Sequence, residues 1–383
     1  MIYDIAIIGA GASALMLASC LDKEKYKKIC LIETNKKLAP KIKVSGGAKC
    51  NITNELVSAD NYLGDNEFAK KLLQEFSKDD LLAFLNKNGV FPKINPKIVK
   101  GTYFCNSSED VIDMFTKLTS HVKKYLNTTV LDVHFDKTYK IKTDFMQIEA
   151  EKLVIASGGL SYSVLGASPI AFEIAKKFGH TVTKLEPALV GFTVQKEQFW
   201  FKNLAGISTD VDVYVEGKTF EGSLLFAHKG CTGPVILSTS LHWKKGKIAV
   251  DFLPKQNLDK FLQGNKIISS ALPLPKRFIQ EFLSSLEIED KSVSKLSFDE
   301  KEKLNLLKYY EFAPAGNFGY TKAEVTKGGV CTDEIEHNSF ESLKQKNLFF
   351  IGECLNLTGE LGGFNFQIVF SEGFVCAQSL NKK

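Results

Sequence analysis

Four residues near the start of the chain have the types and the spacing of a turn that binds phosphate and ribose. Gly9, Gly11 and Ala14 form a G-x-G-x-x-A pattern, and Glu33 follows about twenty residues later. The first glycine allows a tight turn, the second lets backbone approach a pyrophosphate, and the small third residue lets a helix pack closely on a strand. An acid in the position of Glu33 accepts hydrogen bonds from ribose hydroxyls and repels a 2′-phosphate. The pattern therefore favours FAD or NAD over NADP.

The segments around this pattern predict the elements that would hold it. Tyr3 to Ile8 is an apolar run of strand length, a helical segment follows Gly11, and Ile29 to Ile32 predicts the next strand. The phosphates would lie at the N-terminus of that helix, where unpaired N–H groups and the helix dipole favour an anion. The sequence thus predicts an α/β fold with a Rossmann-type domain. The residues of this turn predicted to contact a dinucleotide are Gly9, Gly11, Ala12, Ser13, Ala14, Glu33 and Thr34.

Length and composition are those of a globular protein with more than one domain. The 383 residues are too many for one compact core, and 44% are apolar and 24% charged. No apolar stretch without interrupting glycine or charge is long enough to cross a bilayer, so a cytoplasmic protein without membrane association is expected. The net charge of +5 comes from lysine, since Arg277 is the single arginine. These lysines are dispersed, which favours a solvated surface over a nucleic-acid patch on charge alone.

Cysteine and histidine usage narrows the chemistry. The eight cysteines occur singly with no C-x-x-C, which is typical of a reducing compartment and argues against a redox-active disulfide. The six histidines form no H-x-x-x-H pair. No metal site is predicted.

A polar loop after Glu33 reads S-G-G-A-K-C-N-I-T-N over residues 45–54. Two glycines among Ser, Asn and Thr predict an ordered loop and not a helix or a strand core. Two interpretations stay open at this point. The loop is a surface connection, or it lies over a phosphate or a flavin and uses backbone N–H groups as donors.

The same loop resembles the S-G-G-G-R-C-N-x-T-N segment of the BaiN/RdsA-type FAD-dependent oxidoreductases, a family of bacterial flavoproteins. Residues 326–330 and the tail from Gly352 to Gln367 also resemble the family, so the likeness spans nearly the whole chain. Lys49 and Thr102 stand where the family has arginine. Both differences remove a planar cation, so the family's anion contacts are not carried over to these two positions.

The resemblance implies a glutathione-reductase-like FAD-binding domain, with NADH or NADPH as a transient electron donor. A single G-x-G-x-x-G/A pattern agrees with FAD, because a permanent second nicotinamide site of this type usually shows a second one. The last helix would begin against the flavin and stabilise negative charge on it. The residues that the resemblance adds to the cofactor site are Lys41, Ser45, Gly46, Gly47, Lys49, Val130, Ala156, Ser157, Gly158, Gly352, Glu353, Gly362, Gly363, Phe364, Asn365 and Phe366.

Outside the first turn, the pattern predicts several further elements. Residues 67–88 read as two helices, 109–125 as a helix, and 129–135 and 139–148 as a strand pair before a buried strand at 153–155. From about Glu186 short strand-like runs between Gly and Asn turns suggest an inserted antiparallel, barrel-like domain. The predicted division is an FAD-binding domain at 1–187 and 341–383, the inserted β domain at 188–256 and 310–340, and a small helical subdomain at 257–309.

The function implied is an FAD-dependent oxidoreductase in which nicotinamide reduces the flavin and the flavin reduces a polarised C=C of a small organic substrate. Three alternatives stay open: a dihydrouridine synthase acting on ribosomal RNA, an amine oxidase that uses dioxygen, and a flavin-binding sensor without turnover. Candidates for catalysis, each in a segment that resembles the family, are Cys50, Asn51, His228 and Lys327. Each has a structural alternative, such as packing for Cys50 and a solvated turn for Lys327.

Overall fold

The computed structural model describes residues 1–95 and 99–382, and the chain divides into two compact units. The first unit comprises Met1–Pro187 and Val325–Lys383, and the second comprises Ala188–Glu324. No helix among the described residues is long and apolar enough to span a bilayer.

The first unit is organised around a seven-stranded sheet. Ile2–Ile8 lies in its middle, parallel to Ile29–Ile32 on one side and to Gln147–Ile155 on the other. Lys123–Tyr125 extends the sheet beyond Ile29–Ile32, and Leu348–Phe350 runs parallel to the end of Gln147–Ile155. The central strands are almost wholly buried, as parallel strands covered on both faces are. This is the Rossmann-type domain that the sequence predicts.

An antiparallel meander completes this sheet. Val130–Asp136 pairs with Thr138–Thr143, which pairs with the first half of Gln147–Ile155. The prediction of one strand over 139–148 was wrong, because a turn at 144–146 interrupts it. The Thr143 hydroxyl holds that turn: it accepts from the backbone N–H of Met146 at 3.0 Å and donates to the Met146 carbonyl at 2.8 Å. The strand after the turn continues unbroken into the buried segment predicted at 153–155.

Two more predictions in this unit were wrong at their ends. The helix predicted over 109–125 is Ser108–Leu118, and it ends where the Thr119 hydroxyl donates to the Phe115 carbonyl at 2.7 Å. The residues beyond it return to the sheet as its edge strand. The second half of the predicted polar loop is the strand Asn51–Asn54, three residues of which are buried, and it pairs with Thr102–Phe104. The sequence shows its polar residues but not that they face the protein interior.

The bounds of the remaining elements of the first unit are as follows. The helices are Ala12–Cys20, Pro40–Val44, Asn66–Glu75, Lys78–Lys87, Ile170–Lys177 and Phe364–Lys382, with single turns at Ser45–Ala48, Ala59–Asn61, Ser163–Leu165 and Thr332–Glu334. The short strands are Tyr62–Gly64, Lys93–Ile94, Val325–Lys327 and Leu357–Gly359, and Glu186–Ala188 ends at the unit boundary.

The second unit contains a seven-stranded antiparallel sheet. In spatial order its strands are Tyr310–Phe312, Ile248–Asp251, Ser208–Val215, Lys218–Ala227, Gly230–Thr232, Phe192–Val194 and Pro314–Asn317. Its two edge strands are consecutive in the chain and are separated only by Ala313. The helices of this unit are Trp200–Asn203, Pro234–His242, Ile268–Ala271, Lys276–Ser285 and Phe298–Leu304, with single turns at Lys196–Gln198, Leu258–Lys260, Val293–Lys295 and Asn305–Leu307.

The helical segment 257–309 shares one core with this sheet. Phe278 of the helix Lys276–Ser285 packs on Phe252 with ring centroids 4.8 Å apart and on Trp200 at 5.8 Å. Phe282 also contacts Trp200 and Tyr310. Because these rings form a single buried cluster, the helical segment closes the core of the β insert.

The chain returns to the first unit at Val325, whereas the predicted return is at 341. Backbone hydrogen bonds explain the difference. The N–H of Val330 donates to the Cys354 carbonyl at 2.8 Å, and that of Asn356 donates to the Val330 carbonyl at 2.9 Å. Residues 325–340 are thereby fastened beside the last strands of the first unit.

The last helix, Phe364–Lys382, packs against the first helix with unusual closeness. A Cβ on Gly373 would collide with the Ser13 carbonyl, so only glycine fits there. The neighbouring Glu372 is fully buried, and its carboxyl group accepts from the backbone N–H of Gly352. Burial raises the pKa of Glu372 from its usual 4.5 to about 8, against the lowering effect of that N–H.

This buried carboxyl group predicts a pH-dependent stability. Between about pH 4.5 and pH 8 the folded chain keeps the Glu372 proton and the unfolded chain has lost it. The contribution of Glu372 is therefore complete below pH 4.5 and falls as the pH rises, by up to about 1.4 kcal/mol per pH unit. In Glu372→Gln, urea unfolding of the flavin-loaded protein from pH 5 to pH 8 should lose this component. The exposed control Glu302→Gln should keep the wild-type slope, and an unchanged slope in Glu372→Gln would contradict the assignment.

Candidate functional site

The turn between the first strand and the first helix shows why its two glycines are needed. Gly9 has φ of +104°, and a Cβ there would collide with the backbone of Ala156. Gly9 therefore sets the distance between two neighbouring parallel strands. Gly11 differs, because it has an ordinary φ of −81° and a Cβ there would meet nothing within 4 Å. The space over Gly11 is open at the N-terminus of the helix Ala12–Cys20, which is where the dipole favours an anion.

Glu33 directly follows the strand Ile29–Ile32, is 9% exposed and is held by three donors. Its Oε2 accepts from the backbone N–H of Ala10 at 2.8 Å, and its Oε1 accepts from the backbone and side-chain N–H groups of Asn35 at 2.8 and 2.7 Å. Asn35 also donates to the Leu165 carbonyl at 2.9 Å. The carboxylate is thus fixed in one orientation beside the glycine turn, with the loop around Leu165 tied to it.

Gly9 and Glu33 line one open cleft of about 390 Å³, its mouth included. The strand ends, the residues after Glu33 and the meander all contribute to it. The lining residues are Ile8, Gly9, Ile32, Glu33, Thr34, Thr128, Thr129, Val130, Ser157, Gly166, Ser168 and Ile170. Ser157 is notable because its hydroxyl oxygen is buried without a hydrogen-bond partner. The predicted residues Gly9, Glu33, Thr34, Val130 and Ser157 are therefore brought together.

A second group of predicted residues forms a polar network. The Lys41 ammonium donates to Glu353 Oε2 at 2.5 Å and to the Ser161 hydroxyl at 2.7 Å. Glu353 Oε1 in turn accepts from the Ser161 hydroxyl at 2.6 Å and from the backbone N–H of Thr326 at 2.9 Å. The small residue Gly159 is required here, since a Cβ would collide with Thr326. The network fixes Glu353 directly after Gly352, whose own Cβ would collide with the Ser13 hydroxyl.

The predicted loop and the predicted tail meet at the start of the last helix. The Gly362 carbonyl accepts from the Asn54 amide at 3.0 Å and from the Thr102 hydroxyl at 3.1 Å. Gly363, with φ of +98°, lies so close to the Thr53 carbonyl that a side chain would collide with it. The Thr53 hydroxyl donates to Gln367 Oε1 at 2.6 Å. Thr102, which replaces a family arginine, is thus fully buried and bonded inside the protein.

The remaining tail residues stabilise this helix start. The Asn365 side chain accepts from the Gly359 N–H and donates to the Gly359 carbonyl, both at 2.8 Å. Phe364 is buried edge-on against Tyr62, and Phe366 is half-buried and stacks on Phe370. These contacts occupy the side chains with the protein itself, and the roles predicted for them toward the cofactor stay predictions.

The catalytic candidates Cys50 and Asn51 are neighbours in the chain, and their side chains differ in what they can do chemically. Cys50 is fully buried with φ of +51°, and burial raises the pKa of its thiol well above the usual range. It therefore keeps its proton at neutral pH and cannot act as a thiolate nucleophile. Asn51 opens the strand Asn51–Asn54, and its side-chain Oδ1 is buried with no hydrogen-bond partner.

The other two candidates lie elsewhere. His228 is exposed in the turn between Lys218–Ala227 and Gly230–Thr232 of the second unit. Lys327 ends a short strand of the first unit, where its ammonium lies 3.3 Å from Glu186 Oε2. Glu186 is also held by Lys184, and these two lysines lower the pKa of its carboxyl group. The loop residues Gly47 and Lys49 are exposed, while Ser45 and Gly46 are half-buried.

Four residues of the network and the cleft were not among the predicted site residues. Ser161 and Thr326 complete the network around Glu353, and Thr128 and Ser168 line the cleft. Thr326 lies in a segment that resembles the family, and Ser161 follows a Gly-Gly turn, which are the only signals that point to them. Hydroxyl side chains in turns are common enough that type and spacing do not single them out.

The residues present fit a bound dinucleotide on two observations. A side chain at Gly11 would fill open space at a helix N-terminus, and Ser157, which lines the cleft, has a buried hydroxyl oxygen without a hydrogen-bond partner. A buried polar atom without a partner costs free energy, so a partner from a ligand is expected. Fixed Glu33 at the same cleft supplies the acceptor that a ribose needs. The fold and this site define a Rossmann-type dinucleotide-binding protein of the flavoprotein kind.

Comparison with known proteins agrees. The model of the family described as "HI0933-like protein Rossmann domain" matches residues 3–379, and the chain belongs to this family. It is 36% identical to a ribosomal RNA dihydrouridine synthase of Escherichia coli strain K12, over 99% of this chain and 98% of that protein. It is 27% identical to a 3-dehydro-bile acid delta(4,6)-reductase of Clostridium scindens, over 98% of both chains.

One solved structure supports the fold. An open conformation of a flavocytochrome c3 fumarate reductase superimposes with a TM-score of 0.50 at 12% identity, covering 99% of this chain and 78% of that one. The predicted resemblance to the BaiN/RdsA-type family and the predicted fold class are confirmed, and the protein is an FAD-dependent oxidoreductase.

The two glycines of the turn should respond differently to substitution. Gly11→Val places its side chain in open space with an ordinary φ, so the protein should fold but lose about tenfold or more of its bound flavin. Gly9→Ala should lower the free energy of unfolding by roughly 1–3 kcal/mol, because of its positive φ and the collision with Ala156. Flavin content by absorbance and stability by urea unfolding separate the two effects. Yellow Gly11→Val protein would refute the pyrophosphate position.

A matched pair of serines tests the cleft. Ser157→Ala removes a hydroxyl with no partner in the protein, so stability without flavin should be kept while the Kd for FAD rises about 2- to 10-fold. Ser161→Ala removes a hydroxyl bonded to Lys41 and Glu353, so stability should fall by about 1–3 kcal/mol. FAD fluorescence titration and urea unfolding provide the two readouts. An unchanged Kd in Ser157→Ala would remove Ser157 from the cofactor site.

Proposed function

We propose that this oxidoreductase uses NADH or NADPH to reduce a carbon–carbon double bond conjugated to a carbonyl, and that its substrate is uridine in ribosomal RNA. The observation that carries the substrate is the relatives' identity over nearly full length. Two proteins named ribosomal RNA dihydrouridine synthase are 36% and 32% identical to this chain, against 27% for the bile acid reductase. Uracil has its C5=C6 bond conjugated to a carbonyl, so both kinds of substrate call for the same chemistry.

The sequence supports NADH or NADPH as a transient electron donor. No second dinucleotide fingerprint occurs in the sequence, which supports a nicotinamide that visits and leaves. When bound, FAD would supply hydride transfer from the nicotinamide to one carbon of the substrate double bond, and the other carbon would need a proton. The chain's own residues hold the cofactor, orient the substrate and exclude water.

In this proposal, different parts of the chain hold the cofactor, stabilise its reduced form and orient the reacting groups. Gly11, Glu33 and Ser157 hold the dinucleotide end of the cofactor. The helix Phe364–Lys382 begins at the Gly362–Gly363 pair, and its N-terminus stabilises negative charge on a reduced flavin.

Asn51 orients the reacting groups, because its unsatisfied Oδ1 accepts a hydrogen bond from a ligand N–H, such as one of a uracil or of the flavin. Cys50 supports this strand by packing. His228 and Lys327 stay candidates for contact with the substrate.

A target base in RNA has to leave its stack before it can reach a buried flavin. This requirement favours positions that are already unpaired, since unstacking such a base costs less. A free small molecule needs no unstacking, so RNA and a small unsaturated ketone can be compared as acceptors.

The function predicts two measurable outcomes. Anaerobic mixing of the yellow protein with NADH or NADPH should bleach the flavin absorbance. Adding ribosomal RNA from a strain that lacks the gene should then restore the yellow colour, and mass spectrometry of the RNA should show one uridine gaining two hydrogens. Gly11→Val protein serves as the control without flavin.

Other outcomes distinguish the alternatives. Bleaching by nicotinamide with reoxidation by an unsaturated ketone but not by RNA would replace RNA with a small-molecule substrate. No bleaching by either nicotinamide would overturn the reductase and leave an amine oxidase, which amines under oxygen would then reveal.

A further inference from the structure

Two segments of the first unit carry lysines without any acidic residue. Residues 34–54 and 81–108 together contain nine lysines and no Asp or Glu, whereas the whole chain has a net charge of only +5. The rest of the chain therefore has a net negative charge. The lysines are spread evenly along the sequence. Positive charge is concentrated in these two segments because they contain no acidic residue. Lys97 is one of the nine and lies outside the described residues.

The fold packs these two segments together. Asn51–Asn54 of the first segment pairs with Thr102–Phe104 of the second, and Lys93–Ile94 extends this small sheet to three strands. The N–H of Cys105 donates to the Lys49 carbonyl at 2.9 Å, and the Asn54 amide donates to the Lys100 carbonyl at 3.0 Å. Lys93 pairs directly with Phe104 across the strands. Lys49, Lys93 and Lys100 are therefore carried by one three-stranded sheet.

We call this sheet with its exposed lysines the basic sheet, comprising Lys49, Lys93–Ile94, Lys100 and the strands Asn51–Asn54 and Thr102–Phe104. All three lysine side chains are exposed. The acids close to this sheet include Glu55, whose N–H donates to the Gly101 carbonyl, and Asp110, which acts electrostatically on Cys105. Two more, Glu109 and Asp79, pair at 2.6 Å with Lys43 and Lys78, which lie outside the basic sheet.

Aromatic groups lie among these charges. Phe91 is 59% exposed, two residues before Lys93, and Tyr103 is half-buried in the middle strand. Lysines with an interleaved exposed ring are the usual combination for single-stranded nucleic acid, because the cations contact phosphates and the ring stacks on a base.

The basic sheet is continuous with the candidate site. Its strand Asn51–Asn54 carries the unsatisfied Asn51 Oδ1, and its residues Asn54 and Thr102 hold Gly362 at the start of the last helix.

The geometry points to the basic sheet as the surface that binds the phosphate backbone of single-stranded RNA next to the target uridine. Lys93 and Lys100 contact phosphates and Phe91 stacks on an unpaired base. This inference rests on the proposed function and names the part of the protein that would select RNA over a free small molecule.

Charge reversal with a matched control tests it. Lys93→Glu/Lys100→Glu should weaken binding of an unmodified ribosomal RNA fragment about 10- to 100-fold near 0.1 M salt and reduce the salt slope of log Kd by about 1.4, which corresponds to two phosphate contacts. The control Lys244→Glu/Lys245→Glu makes the same charge change at an exposed turn of the second unit and should stay within about twofold. Phe91→Ala should weaken binding about tenfold with the salt slope unchanged.

Flavin content and bleaching by nicotinamide should be the same in all of these variants, which shows that folding and the flavin site are intact. Equal binding by the Lys93/Lys100 variant and its control would overturn the inference while leaving the RNA function standing. Wild-type protein that fails to bind or modify any ribosomal RNA would overturn both, and reduction of an unsaturated ketone by the same protein would then preserve the reductase alone.

Discussion

The architecture of the first unit depends on close backbone approach around the N-terminus of the first helix. Gly9 brings the first strand against Ala156, while Gly352 and Gly373 bring two later segments against Ser13. Any side chain at these three positions would collide with a neighbour. The helix start is thus held from three sides, and this keeps the space over Gly11 open in a fixed position. An anion site made of backbone N–H groups has no side chain to adjust, so rigid neighbours are what give it precision.

Two glutamate side chains, Glu353 and Glu372, lie near this helix start in different surroundings. Glu353 stays beside an ammonium, a hydroxyl and a backbone N–H, which together compensate its removal from water. Glu372 accepts from one backbone donor, the N–H of Gly352, and burial raises its pKa to about 8. A neutral carboxyl group next to the cofactor site avoids adding negative charge where a pyrophosphate and a reduced flavin would bring their own. The two acids therefore differ in the partners that surround their carboxyl groups.

The glycine turn and the strands around it could be predicted from the sequence, whereas the strand Asn51–Asn54 and the polar network could not. The turn at Gly9 and Gly11 was predictable because steric demands there admit few residue types, and the strands around it are apolar enough to identify. The strand Asn51–Asn54 was missed, since its polar side chains bond inside the protein to Gly362 and Gln367. Long-range partners of that kind leave no periodicity. Ser161 was missed for the same reason, since its partner Glu353 is far away in the sequence. The helix over 109–125 was predicted too long for a different reason, because Thr119 ends it through a local hydroxyl bond to Phe115.

The basic surface could not be predicted from the order of residues along the chain. Lysine spacing alone favours a solvated surface, because long charged side chains are found on every face of a soluble protein. A field strong enough to attract a polyanion needs cations whose neighbours in space lack compensating acids. Pairing of Asn51–Asn54 with Thr102–Phe104 joins two acid-free segments that are far apart in the sequence. The sheet therefore creates a basic surface that neither segment has by itself, and it does so beside the helix start where the cofactor is expected.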